Sequence, residues 1–177
     1  MLKRNLFFAP KSVKSKAYQA CVQPILEYAS NCWAPTSKKL SNTLENVQHT
    51  AAKFVSNIYP KKGKYEHFSI TKLLKNINWD SLEKRRQQAR LTMAYKVING
   101  HVILEPNMLP KLQNKQPLRQ CNEARVGSKN QLFEPSSKID VASHTFFYST
   151  PHLWNSNITA AQAEAPSIDA FKNHLKK

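Results

Sequence analysis

The chain has 177 residues, 41% of them hydrophobic, and a formal net charge of +16. That is enough for one domain, or a helical domain with a smaller appendage, and enough apolar side chain to build a core. Only Gly63, Gly100 and Gly127 are glycines, and none sits in a GxGxxG or GxxxxGK[ST] frame, which argues against a phosphate-cradling loop.

The charge is uneven. Residues 1–100 hold 18 Lys and Arg against 5 Asp and Glu, a balance of +13, whereas residues 101–177 hold 9 against 6. A polyanion is the partner class such a surface attracts. Three cysteines, Cys21, Cys32 and Cys121, form no CxxC pair, and the six histidines are scattered. This argues against a disulfide framework and a structural zinc site, and fits a reducing, intracellular compartment, nuclear or cytoplasmic. The N-terminal apolar run, LFFA, is too short for a secretory signal. No stretch has the length of a membrane span.

Ser12 is the expected cap of the first long helix. Stepped at 100° per residue, Ala17, Cys21, Val22, Ile25, Leu26, Tyr28, Cys32 and Trp33 fall on one side, and Gln19, Gln23, Glu27 and Asn31 on the other. Pro24 predicts a kink there, or a break into two helices. On this pattern Glu27 is a solvated carboxylate and Cys21 and Cys32 are core residues, so none of the three reads as catalytic. APTSKK (34–39) is a turn. A second helix, about 41–57, places Leu44, Val47, Ala51, Phe54 and Val55 inward and Glu45, His49 and Lys53 outward. The short loop predicts an amphipathic α-hairpin.

YPKKGKYEH (59–67) is a basic loop. Ser69 caps a short helix with Leu73 and Leu74 apolar, and Trp79 follows as an anchor. DSLE (80–83) reads as a helix start, with Asp80 or Ser81 as cap and Glu83 reaching back, and Gly100 as the stop. This helix changes character along its length, from KRRQQAR to LTMAYKVI. Arg86 lies on the apolar stripe of Leu82, Ala89 and Met93, so its head must reach water, an acidic partner or a phosphate. Arg86 and Arg90, four apart, are a candidate pair for successive phosphates, or a snorkelling pair on a surface helix. Residues 105–130 read as a linker. Residues 131–155 carry hints of short strands, as in SHTFFYST. AQAEAP (161–166) reads as a connection, and SIDAFKNHL (167–175) as a terminal helix capped by Ser167 and docked through Phe171 and Leu175.

The expected fold is therefore mainly α: a basic helical domain over 1–104, a linker over 105–130, and a small C-terminal region over 131–177 with a few short strands. No nucleophile sits in a recognisable strained turn, and no paired aspartates offer two-metal spacing. The residues point to a binding or scaffolding module without metal, cofactor or small-molecule ligand, not to a self-sufficient enzyme. A thiol enzyme using Cys21 or Cys32 is the remaining catalytic alternative.

The order of segments adds a resemblance. RNLFFAPKSVKSKAYQACVQPILEYASNCWAP (4–35), LENVQHTAAKFV (44–55), INWDSLEKRRQQARLTMAYKVING (77–100), FFYSTPHLWN (146–155) and SIDAFKNHL resemble, in sequence order, the region after the palm in non-LTR, LINE-type (jockey-like) retrotransposon reverse transcriptases. The resemblance implies a thumb-like helical bundle that braces a template–primer duplex. The family's metal-binding aspartates lie in the palm, so no catalytic residue carries over. Two departures occur near the end: Tyr148 and Ser149 stand where the family has proline and arginine, and Ser156 and Asn157 replace a leucine–proline pair. The expected function is a fragment or remnant of an RNA-directed DNA polymerase that binds RNA, DNA or their hybrid through Lys61, Lys62, Lys64, Lys84, Arg85, Arg86 and Arg90, with little sequence preference. The alternative is a non-catalytic interaction scaffold whose amphipathic helices offer a groove to a partner helix.

Overall fold

A computed structural model describes residues 2–58, 69–105 and 131–176. These residues are mainly helical. The chain divides into two compact units, Met1–Arg86 and Gln87–Lys177.

The first unit begins with a single turn, α1 (Leu2–Asn5), followed by α2 (Lys11–Cys21), α3 (Gln23–Glu27) and α4 (Ser30–Trp33). Pro10, not Ser12, precedes α2: its φ of −59° suits a helix entry, and its carbonyl accepts from the Lys14 amide. The expected long helix is cut twice. At Val22 the backbone stays right-handed but opens to φ −108°, which ends α2 and puts Pro24 in the first turn of α3, where a missing N–H costs nothing. Ala29 then takes a left-handed φ of 50° before α4.

These breaks overturn the single apolar stripe expected for this segment. Ile25 is 73% exposed and Tyr28 79%, and Cys21 and Cys32 are exposed thiols, not core residues. An angular stripe holds only while the backbone keeps turning at one pitch, and two interruptions re-aim everything after Val22.

α5 (Lys38–Val55) packs against α2 and against α6 (Ile70–Asn76). The core of this unit is Tyr18, Ala52, Val55, Leu73, Leu74 and Trp79. Tyr18 stacks on Trp79 with ring centres 4.4 Å apart, so the expected tryptophan anchor is in place. Two asparagines close the helices. Asn57 (φ 58°) follows α5 and Asn78 (φ 54°) follows α6, and each is the left-handed residue of a paired C-terminal motif. Ile58 N donates to Lys53 O and Asn57 N to Phe54 O, and Trp79 N and Asn78 N repeat the pattern on Leu74 O and Lys75 O.

α7 (Leu82–Ile98) starts in the first unit and ends in the second. Gly100 (φ 71°) ends it by the same motif, with His101 N on Lys96 O. The second unit adds α8 (Asp140–Ser143), α9 (Phe146–Asn157), α10 (Ala160–Ala163) and α11 (Ile168–Leu175). Phe171, fully buried, is the centre of its core, stacked between Tyr95 at 4.4 Å and Trp154 at 5.8 Å. Tyr95 Oη donates to Ala165 O at 2.6 Å, and Ser167 Oγ accepts from Ala170 N at the start of α11.

The short strands expected over 131–155 are not found. Phe146–Asn157 is a helix that carries Pro151 in its interior, and no strand of two or more residues occurs among the described residues. The aromatic and β-branched run HTFFYST favours an extended chain locally, but burial of Thr150, Pro151 and Trp154 on one helical face decides the outcome. The AQAEAP connection also contains a turn of helix, α10, opened by a Thr159–Gln162 capping box. Apart from Glu105, the expected linker over 105–130 lies outside the described residues.

Candidate nucleic-acid interface

The seven basic residues singled out in the sequence have different fates. Lys61, Lys62 and Lys64 lie outside the described residues. The other four are on α7, and each has a partner within the protein.

The start of α7 is where acidic side chains of the first unit converge. A helix N-terminus presents unsatisfied amides and partial positive charge. Ser81 Oγ takes the Lys84 amide at 3.2 Å, as the DSLE pattern predicts. The second cap comes from elsewhere: Glu45 of α5 accepts from Glu83 N at 2.7 Å and Leu82 N at 3.3 Å. Gln48, one turn along α5, donates to Asp80 O at 2.9 Å. The expected solvent-facing Glu45 is therefore buried.

Arg86 is 7% exposed. Its Nη2 donates to Ser41 Oγ at 3.1 Å and lies 3.9 Å from Glu45 Oε1. Of the three destinations open to this guanidinium, it takes the acidic one. Arg85 grips Glu27 in a two-point fork, Nε to Oε1 and Nη2 to Oε2 at 2.9 Å. That bond pushes the Arg85 guanidinium further above its ordinary range. Glu27, expected as a free solvated carboxylate, also accepts from Gln23, so it serves as a structural anchor between α3 and α7. Lys84 pairs with Asp80 at 2.9 Å on the surface. Arg90 is half-buried and donates to Ser149 Oγ at 2.8 Å, and loss of solvent lowers its guanidinium from the ordinary value. Ser149 thus has a defined partner.

Of the pair expected to meet successive phosphates, Arg86 is buried on Ser41 and Glu45, and Arg90, half-buried, holds Ser149. Cations the sequence reading passed over are exposed instead. Lys3, Arg4, Lys11, Lys16, Lys38, Lys39, Lys53, Lys72 and Lys75 are solvent-facing, and among the described residues none pairs with a carboxylate. The reason lies in the same cluster. Of the four acids described in the first unit, Glu27, Glu45 and Asp80 are turned onto the start of α7, and only Glu83 remains exposed without such a role. The available signal was the scarcity of acids near these lysines, more than their clustering.

No helix of the described residues is long and apolar enough to cross a membrane. Among the described residues no three His, Cys, Asp or Glu side chains are placed to hold a metal ion. No protein-family model, curated protein or solved structure matches the chain.

Proposed function

We propose that this chain is the post-palm portion, thumb and C-terminal region, of a non-LTR, LINE-type retrotransposon reverse transcriptase, and that its first unit binds nucleic acid through phosphates with little sequence preference. One observation carries the binding reading: among the described residues of the first unit, three of the four acids are engaged at the start of α7, while Lys3, Arg4, Lys11, Lys16, Lys38, Lys39, Lys53, Lys72 and Lys75 are exposed without a carboxylate partner. A surface in this state gains counterion-release free energy from any polyanion. The exposed residues of α2, α5 and α6 are the contact residues in this reading, joined by Lys61, Lys62 and Lys64. Arg85 and Arg86 support the fold that displays them.

The test is the salt dependence of affinity for a labelled RNA–DNA hybrid, read by fluorescence anisotropy. A footprint engaging five phosphates gives a log–log slope of about −4.5 on the duplex scale. Replacing Lys38, Lys39 and Lys53 with Gln flattens it by up to about three units, and scrambled duplex sequences bind equally. A slope near zero, or a strong preference for one sequence, refutes the proposal.

A further inference from the structure

The first unit also carries exposed aromatic rings that phosphate contacts leave unused. Tyr28 follows α3 and is 79% exposed, and Trp33 closes α4 and is 42% exposed. The corner beneath them is fixed. Tyr28 N donates to Pro24 O at 2.9 Å, and Tyr28 O accepts from the Trp33 indole Nε1. Ser30, between the two, is buried, and Ala29 supplies the left-handed φ that turns the chain. Both polar groups of the Tyr28 backbone are thus engaged inside the protein, and so is the single donor of the Trp33 side chain. What the corner still offers to solvent is ring surface and the Tyr28 hydroxyl.

The charge around this corner decides what can lie on it. Residues 28–44 contain no Asp or Glu. Glu27, the acid beside Tyr28, is gripped by Arg85. Lys38 and Lys39 follow Trp33 in the chain, exposed and without a carboxylate partner among the described residues. The backbone from Trp33 to Lys39 spans at most about 20 Å, a distance that a strand of a few nucleotides covers. An unpaired nucleotide supplies both halves of the complement in one repeating unit, a phosphate for the ammonium and a flat base for the ring. In a duplex the bases stack on one another and their faces are closed to side chains.

We propose that this corner is a stacking platform for unpaired bases of RNA or DNA, with Tyr28 and Trp33 against bases and Lys38 and Lys39 on the flanking phosphates. The platform rests on the nucleic-acid reading above and narrows it: the first unit takes a strand with exposed bases in preference to a blunt duplex. Every base has a π-face, so stacking keeps the sequence tolerance of that reading.

Two labelled single strands of equal length separate stacking from charge. One is oligothymidylate; in the other the sugars carry no base. Their phosphates are equal in number. The full chain binds the base-bearing strand about tenfold or more tighter, with about fivefold or more from each ring. Tyr28→Leu, at a mostly exposed position whose backbone bonds do not involve the ring, lowers that ratio about fivefold or more, and Tyr28→Phe preserves it. The base-bearing strand also quenches emission from Trp33, and Trp33→Phe removes the quench, because Trp79 and Trp154 are buried. Equal affinity of the parent chain for the two strands, with a steep salt slope, overturns the platform and leaves the phosphate reading standing. Binding of neither strand overturns both. An unchanged ratio in Tyr28→Leu overturns the platform. So does a dimer in analytical ultracentrifugation that Tyr28→Ser dissociates, because a second copy then covers the rings.

Discussion

Glu45→Gln isolates the contribution of a cap supplied across 37 residues of sequence. The substitution keeps size and one acceptor, and removes the charge. Two losses follow from the geometry. A carboxylate at 2.7 and 3.3 Å from the first amides of α7 is a charged cap in a buried setting, worth about 1 kcal/mol beyond a neutral one. Arg86, 7% exposed, also loses the carboxylate that lies 3.9 Å from it. Breaking an intimate buried pair costs about 3–5 kcal/mol. At 3.9 Å, with Ser41 still bonded, a share of about 1–2 kcal/mol is appropriate. The total is about 2–3 kcal/mol. Urea unfolding followed by circular dichroism at 222 nm reads it as a midpoint lowered by about 1 M or more. Adding Arg86→Met removes the stranded charge, so the double variant is more stable than Glu45→Gln alone. A cost below about 0.5 kcal/mol, or a double variant whose losses simply add, refutes the reasoning.

Two other substitutions probe local conflicts. Tyr18 Oη is buried and has no hydrogen-bond partner among the described residues, and desolvation, reinforced by Glu27 and Glu45, pushes its pKa from 10.0 up to about 12. The neutral phenol is thus favoured by folding. Its contribution is fully present below pH 10 and is lost as pH rises toward 12. Tyr18→Phe therefore leaves neutral-pH stability unchanged or raised by up to about 1 kcal/mol, and makes stability fall less between pH 10 and 12 than in the parent chain. Equal slopes in the two proteins argue against a buried phenol. Ala29→Gly relieves a left-handed φ of 50° at an exposed site, and raises stability by about 0.5–1 kcal/mol after the added chain entropy of glycine. A loss in thermal unfolding contradicts that geometry.

The helical class, the break before Pro24, the Ser81 and Ser167 caps, the Gly100 stop and the packing roles of Trp79 and Phe171 were all legible in the sequence. Each rests on a local rule, a backbone preference or an apolar residue at helical spacing. What escaped is non-local. Glu45 looks solvent-facing on a helical wheel because the amides it caps belong to another helix. Lys14 meets Asn57 across 43 positions, and nothing near either residue announces the contact. The two left-handed asparagines were visible but lacked a glycine to mark them. In α9 the local signal pointed the wrong way, since Phe, Tyr and Thr favour strands until Trp154 is buried. The same limit explains the site: charge count located the basic half of the chain but could not tell which cations were already engaged.

The distribution of aromatic side chains has a practical corollary. The chain has three tryptophans. Trp79 is buried in the first unit and Trp154 in the second, while Trp33 is 42% exposed. Each compact unit therefore holds its own intrinsic fluorophore in an apolar setting, and the third indole sits half in water as a reference. Emission from variants that retain one buried indole at a time resolves whether the two units melt in one transition or in two, without any added label.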